Sequence, residues 1–272
     1  MVVVESAGLT DVGRKRKGNE DAFFIDDELK LYVVADGMGG HQAGEVASDL
    51  VVRTIQDYMK RFRSGKEVEE LEDSDKTLSK AANRLMSGIH LSNRVVYQAA
   101  RSRMSYQGMG STVSAVYFSE DTLIATNVGD SPIFLIRNQQ LETLSVPHTV
   151  LAEQAALNRD GDDQFGKEYG HMLTRAMGIE DSVKADICEL QCFRGDVLVI
   201  ASDGLTNKVA LEEIQDITTQ RRPAKACRTL VDLANQRGGE DNITVIVLRI
   251  KAVQNRGRGI WGWLLGRIVG KQ

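Results

Sequence analysis

Proline is almost absent from this chain, at 3 residues in 272, and cysteine is equally rare, also at 3. With so little proline, no Pro-rich linker divides the chain, and its turns rest on the 25 glycines instead. Cys188, Cys192 and Cys227 are an odd set without CxxC spacing, which argues against a disulfide framework and a thiolate metal site. Cys188 and Cys192, four residues apart, read as same-face residues of one strand packed in a core. Long apolar runs are missing too, and none approaches the ~20 residues of a bilayer crossing. Met1-Val2-Val3-Val4-Glu5 shows no basic stretch ahead of a long apolar run. The sequence therefore predicts no secretory leader and, by default, a cytoplasmic location. Nor is there an excess of one charge. Lys and Arg number 34 against 38 Asp and Glu, a net −4, which weighs against a nucleic-acid surface over the whole protein.

What is present is ordinary globular composition, 42% hydrophobic and 26% charged, in a chain long enough for a sizeable core. Short β-rich runs come first, at 2–8, 22–26 and 29–35. From Ala43 to Phe62 apolar residues recur every three or four positions, which predicts an amphipathic helix. A charged loop over 63–74 precedes a second helical pattern from Leu78 to Ala99. Strands are expected at 111–118, 121–128, 132–137 and 141–144, with a hairpin turn at 137–140. A short helix near 149–157 leads into a Gly/Asp-rich loop, 160–170. Strands at 183–191 and 196–201, helices at 210–220 and 223–236, and a last strand at 243–250 complete the pattern. Strands in close succession with helices arriving in pairs predict an α+β fold: an antiparallel β-sandwich of two sheets flanked by helix pairs, in α-β-β-α layers.

Acidic residues recur beside these strands. Asp36-Gly37 and Asp203-Gly204 follow apolar runs, Gly129-Asp130-Ser131 sits between two strands, Glu240-Asp241-Asn242 precedes the last, and Glu20-Asp21 precedes Ala22-Phe23-Phe24. Any one of these is ordinary turn chemistry. As a converging set they would repel one another and call for a hard cation, Mg2+ or Mn2+ rather than Zn2+. Arg16, four residues before Glu20, suits a phosphate dianion beside such a cluster, though taken alone it reads as solvated surface charge in a basic run with Arg14, Lys15 and Lys17. No phosphate-loop, nucleophile-elbow, HExxH or dinucleotide fingerprint stands in a convincing context.

In order along residues 5–250 stand Thr10-Asp11-Val12-Gly13 with Arg16 and Asn19-Glu20-Asp21, VVADGMGGHQAGEVAS (33–48), GMGST (108–112), NVGDSPIFLIR (127–137), LTRAMG (173–178), GDVLVIASDGLTNKV (195–209) and GGEDNITVIVL (238–248). This ordered set resembles the metal-dependent serine/threonine protein phosphatases of type 2C in their bacterial form. The resemblance implies a catalytic domain over 1–250 and a binuclear Mn2+ or Mg2+ centre bridged by Asp36. The Gly37 carbonyl and Asp21 would help hold one ion, with Glu20 supporting through water; Asp203 and Asp241 would hold the other. Asp130 would share a weaker third site with Asp203. A metal-activated bridging water would attack phosphoserine or phosphothreonine while Arg16 orients the phosphoryl oxygens, in opposition to a bacterial Ser/Thr kinase. The loop 158–171 would correspond to the flap beside the active site. The chain departs from the family at Met38, where many eukaryotic members carry a histidine proposed as general acid, so no general acid is named; His41 reads as structural. It departs again at Pro147-His148, where bacterial relatives usually have Asp-His.

Residues 251–272 form a basic tail with Lys251, Arg256, Arg258, Arg267 and Lys271, no acids, and both tryptophans, Trp261 and Trp263. Gly262, Gly266 and Gly270 repeat every four residues, a small-residue ridge if helical. The tail reads as docked on its own domain or frayed, with peripheral membrane binding or partner contact as alternatives. Without it the chain carries 29 bases and 38 acids, a net −9. That weighs against a two-metal nuclease, while the intact set Asp21, Asp36, Asp203 and Asp241 weighs against a catalytically silent phosphoprotein-binding regulator.

Overall fold

The computed structural model of the chain describes residues 1–39, 43–65, 75–157 and 172–254. Eleven strands and six α-helices occur among them: β1 (Val2–Asp11), β2 (Asp21–Asp26), β3 (Leu31–Met38), α1 (Ala43–Arg63), α2 (Lys80–Ser102), β4 (Gly110–Ser111), β5 (Val113–Ser119), β6 (Thr122–Val128), β7 (Ile133–Arg137), β8 (Gln140–Thr143), α3 (Val150–Leu157), β9 (Asp186–Gln191), β10 (Val197–Ala201), α4 (Asp203–Thr206), α5 (Leu211–Gln220), α6 (Pro223–Gln236) and β11 (Ile243–Val253). One sheet runs β1-β11-β10-β7-β8 and the other β2-β3-β5-β6-β9, with β4 beside β3. Every pairing is antiparallel.

Three cores follow from strand alternation. Tyr32 and Val34 of β3, Leu198 and Ile200 of β10, and Ile246 and Leu248 of β11 meet between the sheets. Leu31, Val33 and Ala35 point the other way, onto α1 and α2. Val197, Val199, Val245 and Val247 turn outward beneath α5 and α6. The continuous apolar runs are therefore strands buried on both faces, and the layers are α-β-β-α as expected. Helix α1 carries Glu45 in its first turn and Lys60, Arg61 and Arg63 in its last, matching its dipole. Ser79 caps α2 by accepting from the Ala82 N–H at 3.1 Å. Cys188 and Cys192 both face the inter-sheet core, though Cys192 lies one residue past β9.

Three local features differ from the sequence reading. Strand β3 does not end at Ala35 but continues through Met38, because Gly37 and Met38 pair with Ser111 and Gly110 of β4. Asp203 opens a short helix, α4, that four residues are too few to announce by periodicity. Strand β11 runs to Val253, so the boundary at 250 falls inside it, and Lys251 pairs with Glu5 of β1 at 3.0 Å.

Candidate active site

The sandwich brings the ends of distant strands to one edge. Arg16 and Glu20 lie between β1 and β2, Asp36 and Gly37 near the end of β3, Asp130 between β6 and β7, Asp203 at the start of α4, and Asp241 just before β11. All of these line one cleft of about 660 Å³, together with Met38, Thr112, Met172 and Arg175. Asp21 sits beneath it, directly opposite Asp36 in the β2–β3 register, and lines a neighbouring cavity.

The acids are close enough to act on one another. Burial pushes the Asp36 carboxyl well above the ordinary range, and the charges of Asp21, Asp203, Asp241 and Asp130 push it further in the same direction. Asp21 is raised to about 6, chiefly by burial, against the lowering effect of hydrogen bonds from Thr244 and Ser202. Those hydroxyls donate to its Oδ2 at 2.6 and 2.8 Å. Its Oδ1 is buried with no hydrogen-bond partner. Such an atom is costly unless something positive meets it, so the donor set fits a hard cation. Among the described residues no three acidic, histidine or cysteine side chains close into a ready-made cage. Carboxylates spread around a cleft suit Mg2+ or Mn2+, which take hard oxygen donors and keep part of their water shell.

The scaffold explains why these side chains stand where they do. A Cβ at Gly37 would run into the Gly44 carbonyl, so only glycine lets β3 pass this close to α1. The Thr112 hydroxyl accepts from the Asp36 N–H at 3.0 Å and meets the Ser131 hydroxyl at 2.7 Å, joining Asp36 to the Asp130 turn. Asn242 accepts from the Glu20 N–H at 2.8 Å and donates to the Val12 and Gly18 carbonyls at 3.0 and 2.9 Å. That one amide holds both ends of the loop carrying Arg16. Arg16 itself donates to Asp241 at 2.9 Å, across 225 residues of sequence, so its guanidinium stands over the acids with half its side chain exposed.

Sequence reasoning missed Thr112, Ser202, Asn242 and Thr244 as individual residues. A signal existed: Ser202 and Thr244 are polar residues at positions of an apolar strand pattern that points inward, where a hydroxyl needs a partner. The departure at Pro147 costs α3 nothing, since Thr149 supplies the cap by accepting from the Ala152 N–H at 3.2 Å. His41 and the loop 158–171 lie outside the described residues. The three thiols are poor nucleophiles: burial raises all three, Cys192 and Cys227 to about 12.

The model of the protein phosphatase 2C family matches residues 13–243. A serine/threonine phosphatase, Stp, of Listeria welshimeri is 35% identical over 90% of this chain and 95% of that protein. Protein phosphatase PhpP of Streptococcus pneumoniae is 29% identical over 90% of this chain and 97% of its own length. Among solved structures, the catalytic domain of the serine/threonine phosphatase PstP with two manganese ions superposes with a TM-score of 0.77 at 28% identity, over 93% of this chain and all of that one. With the ordered motifs, the sandwich and the acid-lined cleft already in place, the match over most of the length shows that the chain belongs to the protein phosphatase 2C family.

Proposed function

We propose that this chain hydrolyses phosphoserine and phosphothreonine on proteins with water as the nucleophile and two divalent cations, Mn2+ or Mg2+, as cofactors. Asp36 would face both ions, with Asp21, Glu20 and the Gly37 carbonyl serving one and Asp203 and Asp241 the other. Asp130 and Asp203 would serve a weaker third site. The observation that carries this reading is the cleft that gathers Glu20, Asp36, Asp130, Asp203 and Asp241 beside the half-exposed Arg16, with burial and the neighbouring acids raising the pKa of Asp36. Cations bound there would supply Lewis-acid stabilisation and a water of lowered pKa.

The protein's own part is to place and to neutralise. Arg16 turns its fork to two phosphoryl oxygens, while Asp241 keeps that side chain from swinging into solvent. Asp36, held through its N–H by Thr112, stays at the cleft wall when the substrate enters. No cysteine among the described residues lines the cleft, so the reading needs no phosphocysteine and has water displace the leaving group at phosphorus in line. Phosphate release from a phosphothreonine peptide, measured with Mn2+, with Mg2+ and in EDTA, is expected to require metal. Equal release in EDTA, or none when Mn2+ is shown to bind, overturns the reading. The natural substrates would be proteins phosphorylated by a Ser/Thr kinase, so one such protein belongs beside the peptide in that assay.

We extend the catalytic domain from 1–250 to the end of β11 at Val253, and assign the remainder of the basic 251–272 segment to a tail that binds anionic membranes. Its charge and tryptophans support this; residues 255–272 lie outside the described structure, and no helix among the described residues is long and apolar enough to cross a membrane. Since Lys251 belongs to β11, the informative deletion begins at 255. The full chain is expected to sediment with phosphatidylglycerol vesicles and the 1–254 form to stay in solution. Equal sedimentation of the two forms removes the assignment.

A further inference from the structure

The turn that carries Asp130 is held by a buried histidine outside the cleft. His148, 1% exposed, lies between β8 and α3. Its Nδ1 accepts the Gly129 N–H at 3.0 Å, and the His148 backbone N–H donates to the Gly129 carbonyl at 3.0 Å. Accepting at Nδ1 puts the ring proton on Nε2, which meets Asp186 Oδ2 at 2.6 Å. Arg175, on the cleft wall, donates to the same oxygen at 2.9 Å. Asp186 thus fixes the imidazole in the one tautomer that can receive the Gly129 amide.

We propose that His148 is a positioning residue for Asp130, fixing the backbone from which that carboxylate reaches its cation; this rests on the reading of Asp130 as a metal ligand. Gly129 adopts φ +99°, and a Cβ there would come within 2.6 Å of Thr112 Cγ2, so no side chain of its own can brace the turn. On the far side Ser131 is fully buried and is gripped by Thr112 at 2.7 Å and by Ser114, which donates to its carbonyl at 2.5 Å. Removing the imidazole leaves the buried Gly129 N–H without an acceptor. Glycine can rotate that amide toward water, whereas Ser131 cannot follow. Gly129 then keeps only the bonds to its carbonyl, from the His148 backbone N–H and from Asn127 Nδ2 at 3.3 Å, so the turn shifts on the Gly129 side of Asp130 while the Ser131 side stays fixed.

Residues that orient metal ligands typically change metal affinity by about 10- to 100-fold when removed. The test uses the full chain and Mn2+ alone, reading bound ions by electron paramagnetic resonance and activity on p-nitrophenyl phosphate across a Mn2+ titration. Asp130→Asn is expected to weaken the lowest-affinity class of Mn2+ sites at least about tenfold. His148→Ala should do the same, and the double variant should bind like Asp130→Asn alone. His148→Asn, whose Oδ1 can replace Nδ1 toward Gly129, should bind within about twofold of wild type, whereas His148→Gln, with its amide toward Asp186, should resemble His148→Ala. If His148→Ala fails to fold, the Asn and Gln pair decides the matter, with circular dichroism confirming that both are native. Wild-type binding by His148→Ala or His148→Gln beside a weakened Asp130→Asn overturns the positioning role, as do additive losses in the double variant or failed rescue by His148→Asn. Unchanged binding by Asp130→Asn overturns the ligand reading itself, and the positioning role with it.

Discussion

Asp36→Asn is expected to lower phosphate release at least about a thousandfold while raising the melting temperature of the metal-free protein. The two effects have one cause. Asp36 is the carboxylate on which burial and the charges of Asp21, Asp203, Asp241 and Asp130 all bear. On the proposed reading it faces two cations and would contribute to both, and metal stabilisation of a phosphoryl transition state is worth several kcal/mol, or about three decades of rate. Asparagine has the same shape and leaves the backbone bond to Thr112 in place, so what is lost is charge rather than architecture. In the absence of metal that charge is a liability, since like charges around a desolvated group destabilise the fold that gathers them. Relief of even about 1 kcal/mol corresponds to roughly 2–4 °C in a domain of this size. Phosphate release at saturating Mn2+ and calorimetry in EDTA read the two quantities separately. A lower metal-free melting temperature would show that Asp36 supports the fold, and the loss of activity would then say little about a metal centre.

Much of this was legible in the chain because strands buried on both faces write themselves as unbroken apolar runs. Val33 and Val34, or Val199 and Ile200, had to point in opposite directions into two cores. The ordered motifs carried the family, and with it the residues that meet in the cleft. Strand order was not legible: nothing in Ile243–Val253 announces that it lies between β1 and β10, second in its sheet. Partnerships formed by the folded chain were equally silent. Arg16 stands four residues from Glu20 in sequence yet bonds Asp241, and Thr244 spends its hydroxyl on Asp21 across 223 residues. The extension of β3 through Gly37 and Met38 was hidden because glycine reads as a turn, while β4 supplies the partner that makes it a strand. In each case the missing information is long-range geometry, which local pattern does not encode.

The stabilisation that Mn2+ confers on the fold is expected to grow as pH rises from 5 to 7.5. Asp21 ordinarily titrates near 3.8 and is raised to about 6 in the metal-free protein, mainly by burial, and Asp36 is shifted in the same direction. A carboxyl raised on folding binds its proton more tightly in the native state, so its contribution is fully present below about 4 and is lost as pH climbs through about 6. Metal held as proposed would invert this, because its ligands must be deprotonated and the cluster exists only in the folded chain. His90 and His148 complicate the raw curve. Burial lowers both, so their contribution is lost as pH falls below the ordinary histidine range, inside the same window. Glu213, held at about 2 by Arg237, and the other lowered carboxyls act only at more acidic pH. The histidines are present with and without metal, so the difference between melting temperatures in Mn2+ and in EDTA largely removes them and isolates the acids. At free metal a hundredfold above its dissociation constant, the gain is about 2.7 kcal/mol. Asp21→Asn should flatten the rise, since it deletes one of the protons that metal must displace. A difference that stays level across the range in the wild type would mean that cations bind this protein away from its buried carboxylates.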